Sequence, residues 1–179
     1  MPASEPSSPP QSGVERGVRI YVGQSGEFPP DTYVEAVGGP CLQRALPNAT
    51  TIIGHIVLNR DKVVSEIDSS RMMYLTLHEM GHALGLVGEV QGIQPTWYDL
   101  QTGKYTGSMA LEGWYRQFGV MVTQLQVDHG GHWGEPALWD VMGGGGGGSG
   151  LAPPISLVSA GALMDLGYPV AWSGAGPIE

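Results

Sequence analysis

Residues 17 to 23, GVRIYVG, alternate around β-branched positions, and residues 51 to 59, TIIGHIVLN, are of the same kind, so both predict strands. Between them, DTYVEAVGGPCLQRALPNAT predicts at most a strand broken at Gly38, Gly39 and Pro40, with Pro47-Asn48 marking a turn. The period then changes. Met73, Leu77, Met80 and Leu84 recur at i, i+4, i+7 and i+11, which predicts a helix from a Ser69 or Ser70 cap to about Leu84 with one buried stripe. Gly85 suits the left-handed residue that ends such a helix, where a Cβ would be strained. Beyond it the chain is glycine-rich and irregular, with two further helical patterns. In GSMALEGWYRQFG, Ser108 can cap, and Leu111, Trp114, Tyr115 and Phe118 form an apolar face that stops at Gly119. In PPISLVSAGALMDLGYPV, Ser156 can cap a helix closed by Gly167 and Pro169. The run Gly143 to Gly148 has no side chains to pack and predicts a loop.

Composition narrows the function classes. A chain of 179 residues suits one domain, or one split by a cleft. The pattern divides it into a Pro- and Ser-rich disordered linker at 1–16, an N-terminal part at 17–85 and a C-terminal part at 86–179. With 8 basic against 17 acidic residues and a formal charge of -9, it lacks the clustered cations that nucleic acid or an anionic membrane would need. No apolar run approaches the ~20 residues of a membrane span, and the first residues do not read as an export signal. Cys41 is the sole cysteine, so no intrachain disulfide is expected. Its place between strands predicts a buried apolar role rather than a latency thiolate.

The chemistry concentrates in LTLHEMGHALGL, residues 75 to 86. Histidines four apart on a helix lie about 40° from each other around the axis, so His78 and His82 can converge on one metal ion. Glu79 projects about 100° away, beside the ion rather than on it. From there it can take a proton from a water whose pKa zinc has lowered to about 7. A catalytic zinc site needs a third protein ligand and one open position. Gly88, three residues after Gly85, has no side chain to offer. His55 lies in a predicted strand with an inward or cleft-facing place. His129 and His132, in VDHGGHWGEPALWDVM, are better placed, since Gly130 and Gly131 let the backbone come close and Met142 follows ten residues after His132. Glu112 competes, as the carboxylate of a His, His, Glu set.

Taken together, HEMGHALGL, the insertion containing TGSMALEGWYRQFG, then HGGHW, LWDVM and ISLVSAGALMDLGYPV resemble the leishmanolysin family of metzincin zinc endopeptidases, and AVGGPCLQRALPN with GHIVLN resembles the region before that family's active-site helix. The resemblance covers most of residues 17 to 172. It implies His78, His82 and His132 as ligands of one catalytic zinc ion, Glu79 as general base and Met142 as the methionine of the turn beneath the metal. It also implies an α+β, metzincin-like fold: an N-terminal mixed sheet with the active-site helix, an irregular and partly helical C-terminal half, and zinc in the cleft between. The activity implied is zinc-dependent hydrolysis of peptide bonds in protein or peptide substrates, outside the cell or at its surface. A substrate is then expected extended along residues 51 to 58 as an added strand, with the glycine run bordering its pocket. The alternative is a non-proteolytic binding or adhesion module that keeps zinc for structure. Such a site has no need of Glu79 and is usually closed by a fourth protein ligand.

Overall fold

Strands β1 (Arg19–Ser25), β2 (Ala36–Gln43) and β3 (Thr51–Asn59) form a mixed sheet of order β1-β3-β2, with β1 parallel and β2 antiparallel to β3. The computed structural model describes residues 17–28, 33–45, 50–66, 68–87, 97–99, 101–128, 131–144 and 155–174, with 64–66 as backbone only. The predicted linker at 1–16 lies outside them. The architecture is mixed α+β.

The break expected at Gly38, Gly39 and Pro40 does not occur: β2 runs through all of them. The Asn59 N–H donates to the Glu35 carbonyl (2.8 Å), and the alternation of an antiparallel ladder then turns the backbone of Ala36, Gly38 and Pro40 away from β3. Pro40 therefore lacks an N–H only where none is used, which is how an edge strand tolerates proline. Because β3 is paired on both sides, the substrate strand expected along residues 51 to 58 has no free edge there. The free edge of the sheet beside the cleft belongs to β2.

A short helix that the sequence pattern did not predict, α1 (Arg60–Glu66), continues directly from β3. It leads into α2 (Ser69–Ala83). The cap of α2 is Asp68, whose carboxylate accepts from Arg71 N–H at 2.8 Å, rather than Ser69 or Ser70. Gly85 does adopt the left-handed conformation after the helix, with φ of 91°. The expected buried stripe is displaced, since Met73 is 55% and Met80 36% exposed. The buried residues are Tyr74, Leu75, His78, Glu79, Gly81, His82 and Ala83. Leu75 and Ala83 pack with Ala36, Ile56 and Leu58 under the sheet, whereas Tyr74 joins the larger core of the C-terminal half. Both sides of α2 being covered, its polar residues are enclosed while two methionines reach solvent.

Small residues let the sheet come this close. A Cβ on Gly54 would stand 2.8 Å from the Ala83 carbonyl oxygen, and one on Gly38 would overlap the Glu79 carbonyl oxygen. In the C-terminal half, strands β4 (Tyr98–Asp99), β5 (Lys104–Tyr105) and β6 (Leu125–Gln126) make a small antiparallel sheet. Helices α3 (Ser108–Phe118) and α4 (Leu157–Asp165) pack against each other. Ser156 caps α4 as expected, accepting from Val158 and Ser159 N–H. Ser108 does not cap α3: the Asp165 carboxylate accepts from Met109 N–H (2.9 Å) and Ala110 N–H (3.0 Å) instead. Tyr168 ties the halves together, its hydroxyl accepting from Thr51 N–H (2.8 Å) and donating to the Leu84 carbonyl (2.9 Å). Among the described residues no helix is long and apolar enough to cross a membrane.

Helices α3 and α4 meet backbone to backbone, because a Cβ on Gly113 would overlap the Leu157 carbonyl oxygen and one on Gly161 the Met109 carbonyl oxygen. Gly113→Ala and Gly161→Ala should each destabilise the fold by about 1–3 kcal/mol through overpacking. Thermal denaturation followed by circular dichroism should show the midpoint falling by roughly 2–10 °C. Gly23→Ala, with nothing near its Cβ position, should stay within about 0.5 kcal/mol of the parent.

Candidate metal centre

Helix α2 brings His78 and His82 to one face, and the loop after β6 brings His132 across from them. The Nε2 atoms of His78 and His132 are 3.2 Å apart, as are those of His82 and His78. Two nitrogens that each bind zinc at about 2.0–2.1 Å in tetrahedral geometry stand roughly 3.3 Å apart, so both pairs have the spacing of ligands on one ion, and all three ligand atoms lie within 4.8 Å of one another.

The far side of each ring shows which nitrogen is free. His78 Nδ1 is 2.7 Å from the Val141 carbonyl oxygen, and His132 Nδ1 is 3.2 and 3.3 Å from the Asp128 carboxylate oxygens. Neither oxygen can donate, so both Nδ1 atoms carry the proton and both Nε2 atoms keep a lone pair. His82 in turn bonds the backbone of Leu86. Burial lowers the pKa of His78 and pushes His82 down to about 3, the neighbouring imidazoles adding to both effects. Neutral imidazoles with lone pairs converging on one point are what a metal ion requires.

Glu79 is buried beside these rings but is not one of the grouped ligands. Burial raises its pKa to about 7, against a hydrogen bond from the backbone of Gly38. A cation held by the adjacent histidines acts in the opposite direction and favours the carboxylate. The group faces a cleft of about 370 Å³ lined by His78, Glu79, His82 and His132 on one side and by residues of β2, Ala36 to Pro40, on the other. Met142, fully buried, packs against α2 in the space left by Gly81: a Cβ there would overlap the Met142 sulfur. Methionine suits an irregular gap of this kind.

The structure therefore brings together His78, Glu79, His82 and His132 on one cleft, and sets Met142 against their helix at Gly81. Glu112 is excluded from the centre, since it lies on α3 in an exposed ion pair with Arg116 at 2.8 Å. His129, Gly88 and 145–148 of the glycine run lie outside the described residues. His55 does not face the cleft: Gly54 meets α2 and Ile56 is fully buried under the sheet, so the alternation of the strand turns His55 to the opposite face. There its Nδ1 is 3.2 Å from the sulfur of Cys41, which is exposed and not buried as expected, because β2 carries it on the uncovered side of the sheet. Two contributors were missed from sequence. Asp128, four residues before His132, had a readable signal in its spacing, whereas the Val141 carbonyl is a backbone group with none.

No protein-family model matches the chain, and no curated protein matches it.

Elemental analysis after dialysis should find one zinc ion per chain and none in His132→Ala, because two histidines alone hold the ion weakly. Asp128→Asn should lower zinc affinity about 10–100-fold in a chelator competition, since it loses the carboxylate that orients His132. Glu112→Gln and His129→Ala should keep the metal. Zinc retained by His132→Ala and lost from His129→Ala would reassign the third ligand.

Proposed function

We propose that the chain is a zinc-dependent endopeptidase of metzincin type, hydrolysing peptide bonds in protein or peptide substrates. The observation that carries this reading is the pairing of three convergent imidazole lone pairs with a buried carboxylate, Glu79, that is not itself a ligand, all on the wall of an open cleft. Three histidines and an open fourth position form the pattern of a catalytic rather than a structural zinc site. Zinc bound there supplies a Lewis acid for the scissile carbonyl and lowers the pKa of water at the open position. Glu79 takes the proton from the attacking water and hands it to the departing nitrogen. The hydrogen bond from Gly38 keeps the carboxylate turned along the cleft.

The substrate lies extended along the outer edge of β2. Ala36, Gly38 and Pro40 turn their carbonyls to this side, where they accept from the peptide's N–H groups. Gly38 N–H is engaged by Glu79 and Pro40 has none, so the edge offers acceptors opposite the reacting centre and few donors.

Zinc-loaded protein should cleave members of a mixed peptide library and lose that activity on chelation. Glu79→Gln should keep its zinc and lower kcat by at least about 100-fold, the lower end of what general acid-base catalysis contributes. Near-parental turnover in Glu79→Gln would remove Glu79 as the base. A zinc-loaded parent that cleaves nothing in a broad library would favour the binding-module reading.

A further inference from the structure

Beyond the ligands, one buried carboxylate is linked to two of them through short chains of bonds. Asp140 is 1% exposed and precedes the buried Met142 by two residues. Its Oδ1 accepts from Met142 N–H (2.6 Å) and from the Ser159 hydroxyl (2.7 Å), while Oδ2 accepts from Ser156 N–H (2.8 Å). Its backbone carbonyl accepts from Gly143 N–H at 2.8 Å, closing a tight turn over 140 to 143. Two arms leave this hub. Through the turn it fixes the Val141 carbonyl, which accepts from His78 Nδ1–H at 2.7 Å. Through Ser159 it reaches Trp133, whose indole N–H donates to the Ser159 hydroxyl at 2.8 Å and whose backbone N–H donates to the Met142 carbonyl at 2.8 Å. Trp133 is buried and directly follows His132.

The geometry points to Asp140 as a positioning residue of the metal centre, joining His78 and His132, ligands from distant parts of the chain, into one hydrogen-bonded frame. This rests on the three-histidine ligand set and not on the reaction proposed for it. A carboxylate is required because the donors converge on both oxygens. An amide in its place has one acceptor oxygen and turns an NH₂ group toward another donor, leaving buried N–H or O–H groups unpaired. Ser159 is the second essential member, since its hydroxyl donates to Asp140 and accepts from Trp133 at once. Partners of this kind usually govern ligand orientation and hence metal affinity.

The test compares zinc-loaded parent protein with Asp140→Asn, Ser159→Ala and Val158→Ala, the last removing buried methyl groups from the same helix but no member of the network. Zinc affinity is read by competition with a chromophoric chelator, ligand geometry by the visible spectrum of the cobalt-substituted protein, and stability by thermal denaturation of the metal-free forms. Asp140→Asn and Ser159→Ala should bind zinc about 10–100-fold more weakly and alter the cobalt spectrum. Val158→Ala should lower the melting temperature while keeping parental affinity and spectrum. If Asp140→Asn does not fold, Ser159→Ala decides. Parental affinity and spectrum in Ser159→Ala would overturn the assignment. An equal loss of affinity in Val158→Ala would also overturn it, by reducing the effect to general destabilisation. A parent protein that holds no zinc would remove the ligand set on which it stands.

Discussion

Two imidazole nitrogens 3.2 Å apart, each presenting a lone pair, repel unless a cation or a proton lies between them, and this centre holds two such contacts sharing His78. Protons do not resolve the conflict, because the Val141 carbonyl and the Asp128 carboxylate already engage the Nδ1–H of His78 and His132. Charging the rings is worse, since burial and mutual repulsion both hold His78 and His82 below the ordinary imidazole range. A metal ion would satisfy all the lone pairs together. Without one, helix α2 buries its polar face between two apolar clusters at a cost of several kcal/mol, so binding of a metal ion would be coupled to the packing of this helix.

Such coupling demands that the helix be held closely. Besides the side chains that α2 packs into the two cores, its closest contacts are made at positions without side chains: Gly38 and Gly54 of the sheet lie against its carbonyl oxygens, and Gly81 of the helix itself lies against Met142. Backbone contacts of this sort leave little room for the helix to slide or rotate, so ring positions are set by the main chain rather than by adjustable side-chain packing. The same economy shapes the cleft. Gly38 must be small to admit Glu79, and by remaining on the edge of β2 it also donates to that carboxylate.

Legibility in the sequence followed the range of the interactions. Strand β3, the span of α2, the caps at Ser156 and Gly85 and the pair His78 and His82 are set by periods and turn preferences acting over a few residues, and all were readable. The buried side of α2 was not, because Met73, Leu77, Met80 and Leu84 satisfy a single-core pattern, whereas the helix lies between two cores and exposes two of these residues. Gly38, Gly39 and Pro40 looked like a break because propensity is blind to which way a strand edge faces. The cap of α3 comes from Asp165, far along the chain, so the adjacent Ser108 was the natural but mistaken choice. Choosing His132 over Glu112 needed either the resemblance or the coordinates, since composition and spacing left both open.

The asymmetry of the centre bears on why Glu79 stays off the metal. His78 and His82 are drawn toward the C-terminal half by bonds to Val141 and Leu86, while Glu79, one step around the helix, is drawn the other way by Gly38 of β2. Opposite pulls on neighbouring residues of one helix keep the carboxylate at the cleft wall, where β2 lies, and out of the three-histidine group. Met142, fully buried, meets the same helix at Gly81, and the cleft lined by the three histidines and Glu79 lies against β2. The consequence is directional: the three imidazoles and Glu79 face the β2 edge of the sheet across one cleft.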